Sequence, residues 1–163
     1  MTSKDLLVSI IITVKDESEG IDIFFERLIP ILDKLPTKYE IVFVNDGSND
    51  DTLDLLLVKQ QNNNAIRVID LSRNFGKESA LYAGFEHCSG DAAISIDSDL
   101  QDPPELILEM VFHWLDGYEV VTAVRENRDT DTATKKGSAG MFYKVMNQIS
   151  ETKLTQMLGI IDY

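Results

Sequence analysis

Cysteine is nearly absent from this chain of 163 residues. Cys88 is the only one, which excludes an internal disulfide and fits a reducing compartment. Cations are scarce as well: 15 Lys and Arg stand against 28 Asp and Glu, a net charge of −13. A nucleic-acid-binding face needs clustered cations to neutralise phosphates, so the balance argues against that partner. No apolar run approaches the roughly 18 residues of a membrane span. The first residues carry neither a basic n-region nor a long apolar run, so no signal peptide is read there. Glycine-rich phosphate loops are missing too. No Gly-x-Gly-x-x-Gly follows the first apolar run, and Gly76-Lys77 lacks the glycine spacing of a P-loop. That argues against a nicotinamide-binding Rossmann domain. His87, His113 and Cys88 show no metal-ligand spacing.

What is present is an ordinary globular composition, 44% hydrophobic and 26% charged, in a length that suits one domain with a sizeable core. Apolar runs alternate with helical patterns, the signature of βαβ units and a mostly parallel sheet. Strands are expected at Leu6–Val14, Glu40–Val44, Ile66–Leu71, Ala92–Ile96 and Glu119–Val124. The first helix carries Ile21, Phe24, Phe25, Leu28, Leu32 and Leu35, ends at Pro36, and has a kink or break at Pro30. Further helices are expected from Asp51 or Thr52 to about Gln61, over Lys77–His87, and from an Asp102 cap through Trp114. Arg125–Ser138 is polar without apolar periodicity and reads as a mobile loop. Met141–Ile149 reads as helical, and Ile160-Ile161-Asp162-Tyr163 as the start of another strand or loop. No internal repeat or linker is visible.

In an open parallel sheet, ligands bind beyond the carboxyl ends of the strands. Three polar clusters fall there: Thr13–Glu17, Asn45–Ser48 and Asp97–Gln101. Their convergence says more than any one of them. With 17 Asp in the chain, chance alone supplies about two Asp-x-Asp matches. Two occur, Asp97-Ser98-Asp99 and Asp129-Thr130-Asp131, and only the first ends a strand. Asp97 and Asp99 suit either a capped strand–helix connection or a hard cation such as magnesium or manganese, with Gln101 as a further oxygen ligand. Without a cation, such carboxylates would repel a diphosphate by roughly 1–4 kcal/mol per charge pair at ~4 Å. Asp46, beside Gly47, suits either a turn and helix cap or an acceptor for a nucleobase or ribose. Ser72–Lys77 reads as a solvated loop, or as one that brings Arg73 or Lys77 to a phosphate beside a helix N-terminus. Arg125, Arg128, Lys135 and Lys136 are either solvated or able to close on an anion.

Ser9-Ile10-Ile11-Ile12 leading to Asp16-Glu17, Val44–Thr52, Arg73–Lys77, Gly90-Asp91 and Asp97–Glu105 together resemble the GT-A family 2 glycosyltransferases. Within them the likeness is to polyprenyl-phosphate sugar transferases, dolichol-phosphate mannosyltransferase-like and bactoprenol glucosyltransferase-like. It covers essentially the whole chain, and Asp-x-Asp-Leu-Gln-Asp-Pro-Pro-Glu is its most specific part. The resemblance implies a GT-A fold, a UDP- or GDP-hexose donor, a divalent metal (Mg or Mn), inversion at the anomeric carbon and a polyprenyl phosphate acceptor. By similarity Asp97 and Ser98 lie along the nucleotide, and Asp99 and Gln101 hold the metal with Asp97. Glu17 and Asp46 lie near base and ribose, with Thr13, Lys15 and Lys77 in the donor site, and Arg125 and Arg128 face phosphates. The family usually shows Pro-x-Tyr-Asn-Glu after the first strand. Here Thr13-Val14-Lys15-Asp16-Glu17 stands there, without the aromatic that would stack on the base. Asp162-Tyr163 resembles the start of a Gly-Asp-Phe-Arg segment that lines the acceptor side. The expectation is a single donor-binding domain over 1–163, truncated at its C-terminal side, in a protein that works at the cytoplasmic face of a membrane.

A phosphate monoester is largely dianionic at neutral pH, so it attacks without a strong base. Positioning and charge stabilisation then suffice. A same-fold enzyme acting on a sugar hydroxyl would need a carboxylate base, for which Asp162 is the candidate. A receiver-type phosphoacceptor module is the rival from another class. It wants an Asp after its third strand, where Ser72-Arg73 stands.

Overall fold

The computed structural model describes residues 3–124 and the backbone of 158–162. The chain divides into two compact units, Met1–Leu108 and Glu109–Tyr163.

The first unit holds a four-stranded parallel sheet in the order β3-β2-β1-β4. Its strands are β1 (Leu7–Val14), β2 (Lys38–Asn45), β3 (Ile66–Asp70) and β4 (Ala92–Ser95). Leu7 pairs with Lys38 and Val14 with Asn45. On the other edge of β1, Val8 pairs with Ala92 and Ile11 with Ser95. Ile10, Ile11, Ile12, Ile41, Val42, Phe43 and Val44 are wholly buried. Two-sided burial explains why these strands read as continuous β-branched runs rather than alternating ones.

Helices cover both faces. Along α1 (Ile21–Leu32), Ile21, Phe24, Phe25, Leu28, Ile31 and Leu32 form the buried stripe. Phe25 stacks on Phe43 at 5.2 Å, and Phe24 meets the same ring edge-on at 6.5 Å. Each such side chain contributes roughly 1.5–3 kcal/mol on burial. Lys59 of α2 (Thr52–Asn62) lies over the Phe25 ring and pairs with Asp22, joining the two helices. On the opposite face Ala80 of α3 (Lys77–His87) packs with Ile11, Val42 and Val44. The approach is close: a Cβ on Gly84 would lie 2.4 Å from Ile11 Cγ2.

Two boundaries differ from the sequence expectation. Pro30 sits inside α1 without breaking it, and the helix ends at Leu32 rather than Pro36. There the bonding tightens, Lys34 N–H reaching Ile31 O and Leu35 N–H reaching Leu32 O. Helix α4 spans Leu106–Leu115, so Asp102 does not cap it. Asp102 and Pro103 each precede a proline, which disfavours helical backbone at both. The helix starts only after a turn in which Leu106 N–H bonds Pro103 O.

A buried polar network ties the amino ends of the strands. Glu40 accepts from the Ser9 hydroxyl (2.6 Å), the Ser89 N–H (2.5 Å) and Arg67 (3.4 Å), while Gly90 N–H donates to Ser9 Oγ. Burial pushes the Glu40 carboxyl up, but these donors outweigh it and hold the group below its ordinary value. A depressed carboxyl stabilises the fold above its unfolded pKa and loses that contribution as pH falls through its folded pKa. Glu40→Gln is therefore expected to cost about 2 kcal/mol at neutral pH and to flatten the acid limb of stability below about pH 4. Urea denaturation at several pH values checks this, and an unchanged acid limb would rule the network out as its source.

In the second unit β5 (Val120–Val124) pairs in parallel with β6 (Leu158–Asp162), Val120 opposite Leu158 and Val124 opposite Asp162. The sequence reads as the start of a strand or loop at Ile160; a strand is found, and it begins at Leu158. Among the described residues no helix is long and apolar enough to cross a membrane. The expected loop Arg125–Ser138 and helix Met141–Ile149 lie outside the described residues.

Candidate donor-binding site

The chain lays down β1, β2 and β3 toward one edge, then returns to the far side of β1 for β4. The order reverses between β1 and β4, and beyond their carboxyl ends lies the crevice where open α/β sheets hold ligands. A cavity of about 380 Å³ occupies it. Thr13, Lys15 and Glu17 line it from the end of β1, Asp46 from the end of β2, Lys77 from the start of α3, and Asp97, Ser98 and Asp99 from the end of β4. Eight residues singled out in the sequence are thus brought together.

The β1 side is built by cross-ties between two loops. Asp16 adopts left-handed backbone, φ 53°. Its N–H donates to Ser48 Oγ, and its carboxylate accepts from Asn49 N–H and the Lys15 ammonium, both at 2.6 Å. These donors hold Asp16 below the usual carboxylate range, and the Asp16 carboxylate in turn raises Lys15. Glu17 N–H donates to Thr52 Oγ1 and Ser18 N–H to Asp50. Asp50 also accepts from the Thr52 hydroxyl and amide, and these three bonds, with one from the Ser18 side chain, hold its carboxyl far below the usual range.

Asp46 is buried. Its two oxygens accept from the backbone of the 72–76 loop, Phe75 N–H at 2.7 Å and Gly76 N–H at 3.0 Å. Gly47 allows that approach. Its φ is +63°, and a Cβ there would lie 2.5 Å from Arg73 C and Asn74 N. In the same loop the Arg73 guanidinium covers the Phe75 ring at 4.3 Å. A second cavity of about 480 Å³ adjoins, sharing Lys15 and Asn74 with the first and bounded by Asn45, Ser48, Asp70 and Arg73.

On the β4 side Lys77 Nζ bonds Asp97 Oδ2 at 2.7 Å. Asp97, then Asp99 and Asp102, raise the ammonium above its ordinary value. Leu100 takes left-handed backbone at φ 58°, and Gln101 N–H turns back to Asp99 Oδ1 at 3.0 Å. Glu17 faces this group from across the crevice. Burial first, then the charges of Asp99 and Asp50, push its carboxyl up.

The donor set is all oxygen and carries excess negative charge, which fits a hard cation. Among the described residues no three His, Cys, Asp or Glu stand arranged to enclose one. Asp97 and Asp99 would therefore supply two ligands. The remainder would come from a bound diphosphate, as is usual for magnesium. Gln101 does not line the cavity. Asp162 ends β6 in the second unit, and Arg125 and Arg128 lie outside the described residues. The sequence singles out the Ser72–Lys77 loop but gives no role to Asn74 or Gly76, which also line the crevice. Asn74 Oδ1 accepts from Gly76 N–H, an Asx turn that Asn-x-Gly before an apolar helix signals.

Two curated relatives and one solved structure resemble this chain. A Synechocystis sp. protein named as an uncharacterized glycosyltransferase is 46% identical over 152 residues, covering 93% of this chain and 48% of its own. A bactoprenol glucosyl transferase of Shigella phage SfV is 40% identical, covering 93% of this chain and 50% of its own. The chain thus spans about half the length of the curated relatives it matches. Among solved structures, Mycobacterium tuberculosis glucosyl-3-phosphoglycerate synthase, in complex with Mn2+, UDP-glucose and glycerol 3-phosphate, superposes with a TM-score of 0.69 at 16% identity. That match covers 96% of this chain and 70% of the other. Its fold is GT-A, and so is this one. The model of glycosyl transferase family 2 matches residues 9–160, and the chain belongs to that family.

Proposed function

We propose that the β1/β4 crevice binds a UDP- or GDP-hexose with magnesium or manganese, and that the protein transfers the hexose to polyprenyl phosphate with inversion. The observation that carries this is the placement of Asp97 and Asp99 at the end of β4, facing Glu17 across a cavity of about 380 Å³. The family and the name of the phage relative support sugar transfer to a lipid phosphate. The size and polarity of the paired cavities suit a nucleotide ligand.

The diphosphate lies in the crevice, and the base end reaches the adjoining cavity between Ser48 and Arg73. A divalent cation, when bound, supplies charge neutralisation on the leaving diphosphate. Asp97 and Asp99 hold and orient it there. The 72–76 loop, fixed by Asp46, presents Lys77 to the phosphates. An acceptor phosphate dianion attacks the anomeric carbon from the face opposite the diphosphate, so the C–O bond to the diphosphate breaks as the new one forms and no proton need be removed. Arg125 and Arg128 are assigned to the phosphates, and the acceptor places the whole protein at a membrane, on the cytoplasmic side.

Binding of UDP or GDP is expected to depend on the cation, with affinity in manganese at least about tenfold that in EDTA. Titration calorimetry measures both. Equal affinities would end the metal-assisted reading.

A further inference from the structure

The Lys77–Asp97 ion pair sets one cation against a residue assigned to another. Lys77 Nζ lies 2.7 Å from Asp97 Oδ2, with both side chains substantially exposed inside the crevice. The other lysine that lines the cavity is held elsewhere, Lys15 by Asp16 at 2.6 Å. Among the described residues, Lys77 is therefore the cation paired with Asp97. A divalent cation on Asp97 and an ammonium on the same carboxylate are like charges competing for one anion. Lys77 is also the first residue of α3, after Gly76 with φ +94°. Gly76 is pinned through its N–H to Asp46. Its backbone is fixed while its long side chain remains able to swing.

We propose that Lys77 is a stand-in cation that couples metal binding to donor binding. It holds Asp97 until a nucleoside diphosphate offers it a replacement partner, and only then does the metal occupy the site. This rests on the donor-site reading above. Metal alone binds weakly, because it must displace Lys77 with nothing to receive it. Nucleotide alone binds weakly, because moving Lys77 onto the diphosphate leaves the Asp97 and Asp99 carboxylates bare beside it. Together they bind strongly, and by linkage each raises the affinity of the other by the same factor. The advantage is order: a site that does not fill with free metal is not poised to hydrolyse or misplace a donor.

The test is a thermodynamic cycle on the protein with MnCl2, UDP and GDP as probes, read by calorimetry. In the wild type, Mn2+ alone binds weakly and its affinity rises with nucleotide. Lys77→Met is expected to bind Mn2+ alone at least tenfold more tightly than the wild type. The enhancement of Mn2+ affinity by nucleotide is expected to shrink at least tenfold. Lys77→Arg keeps the cation and is expected to keep most of the coupling. Lys77→Gln reads the same two affinities and is held to the same outcomes if Lys77→Met does not fold. Unchanged or weaker Mn2+ affinity in the neutral variants, with nucleotide binding intact in the wild type, overturns the coupling and leaves the donor site standing. Failure of the wild type to bind either nucleotide with Mn2+ overturns both.

Discussion

Asp99→Ala is expected to abolish the metal-dependent part of nucleoside diphosphate binding, a loss of about 100-fold or more in manganese and little change in EDTA. Substitutions that merely orient a metal ligand typically cost 10–100-fold, so removing a proposed ligand should cost at least as much. The fold should survive, because Asp99 is exposed and the hydrogen bond it accepts from Gln101 N–H is local. Stability should hold or rise slightly. Asp99 is one of the charges that push Glu17 up, and deleting it removes that repulsion. Circular dichroism and thermal denaturation test the fold, and calorimetry tests the site. An unfolded variant would make Asp99 structural; a folded one with full manganese-dependent affinity would move the cation elsewhere. Asp129→Ala, in the other Asp-x-Asp, is the control and should leave nucleotide affinity unchanged.

Asp46→Asn should have the largest effect on stability, about 2–4 kcal/mol. The carboxylate is 4% exposed and spends one oxygen on each of two backbone N–H groups. An amide keeps one acceptor and turns an NH2 toward the other N–H. A donor then faces a donor in a buried place, at a cost of about 1–3 kcal/mol for the unsatisfied group, in addition to the lost charge-assisted bond. The 72–76 loop cannot settle elsewhere, since it lies against the Cα of Gly47, where even a methyl group would overlap Arg73 and Asn74. Urea denaturation should show the loss, and nucleotide affinity should fall with it because Gly76 and Lys77 are no longer fixed. A change under about 0.5 kcal/mol would mean that the two bonds contribute little.

These residues also mark how far the sequence could be read. The four strands of the main sheet and helices α2 and α3 were legible to within a residue or two. Fully buried parallel strands are apolar runs, and Gly76 and Ser89-Gly90 punctuate them. Seven of the eight crevice residues were legible as strand-end clusters, and Lys77 as the end of the Ser72–Lys77 loop. What each polar atom bonds to was not. Asp46 reads either as a turn and helix cap or as a ligand acceptor, and neither reading says that its oxygens accept from backbone 29 and 30 residues away. Nor does spacing say that β4 lies beside β1, or that Lys77 reaches Asp97 across 20 residues. Pairings across such separations are tertiary facts. One signal was available and passed over: Ser9 and Glu40 are polar residues set in apolar strands, which points to a satisfied buried network.

Two residues with left-handed backbone, Asp16 and Leu100, stand at opposite lips of the crevice. Neither is glycine, and such backbone costs a side-chain-bearing residue about 1–2 kcal/mol. Asp16 offsets that cost with the bonds its carboxylate accepts from Asn49 and Lys15, so selection for heat resistance alone would drift toward glycine at Leu100 and gain melting temperature there. It would also soften the turn that carries Asp99 to the crevice. Thermostabilised descendants of this domain should therefore be screened for donor affinity at every round, because the easiest improvements lie at the rim of the site.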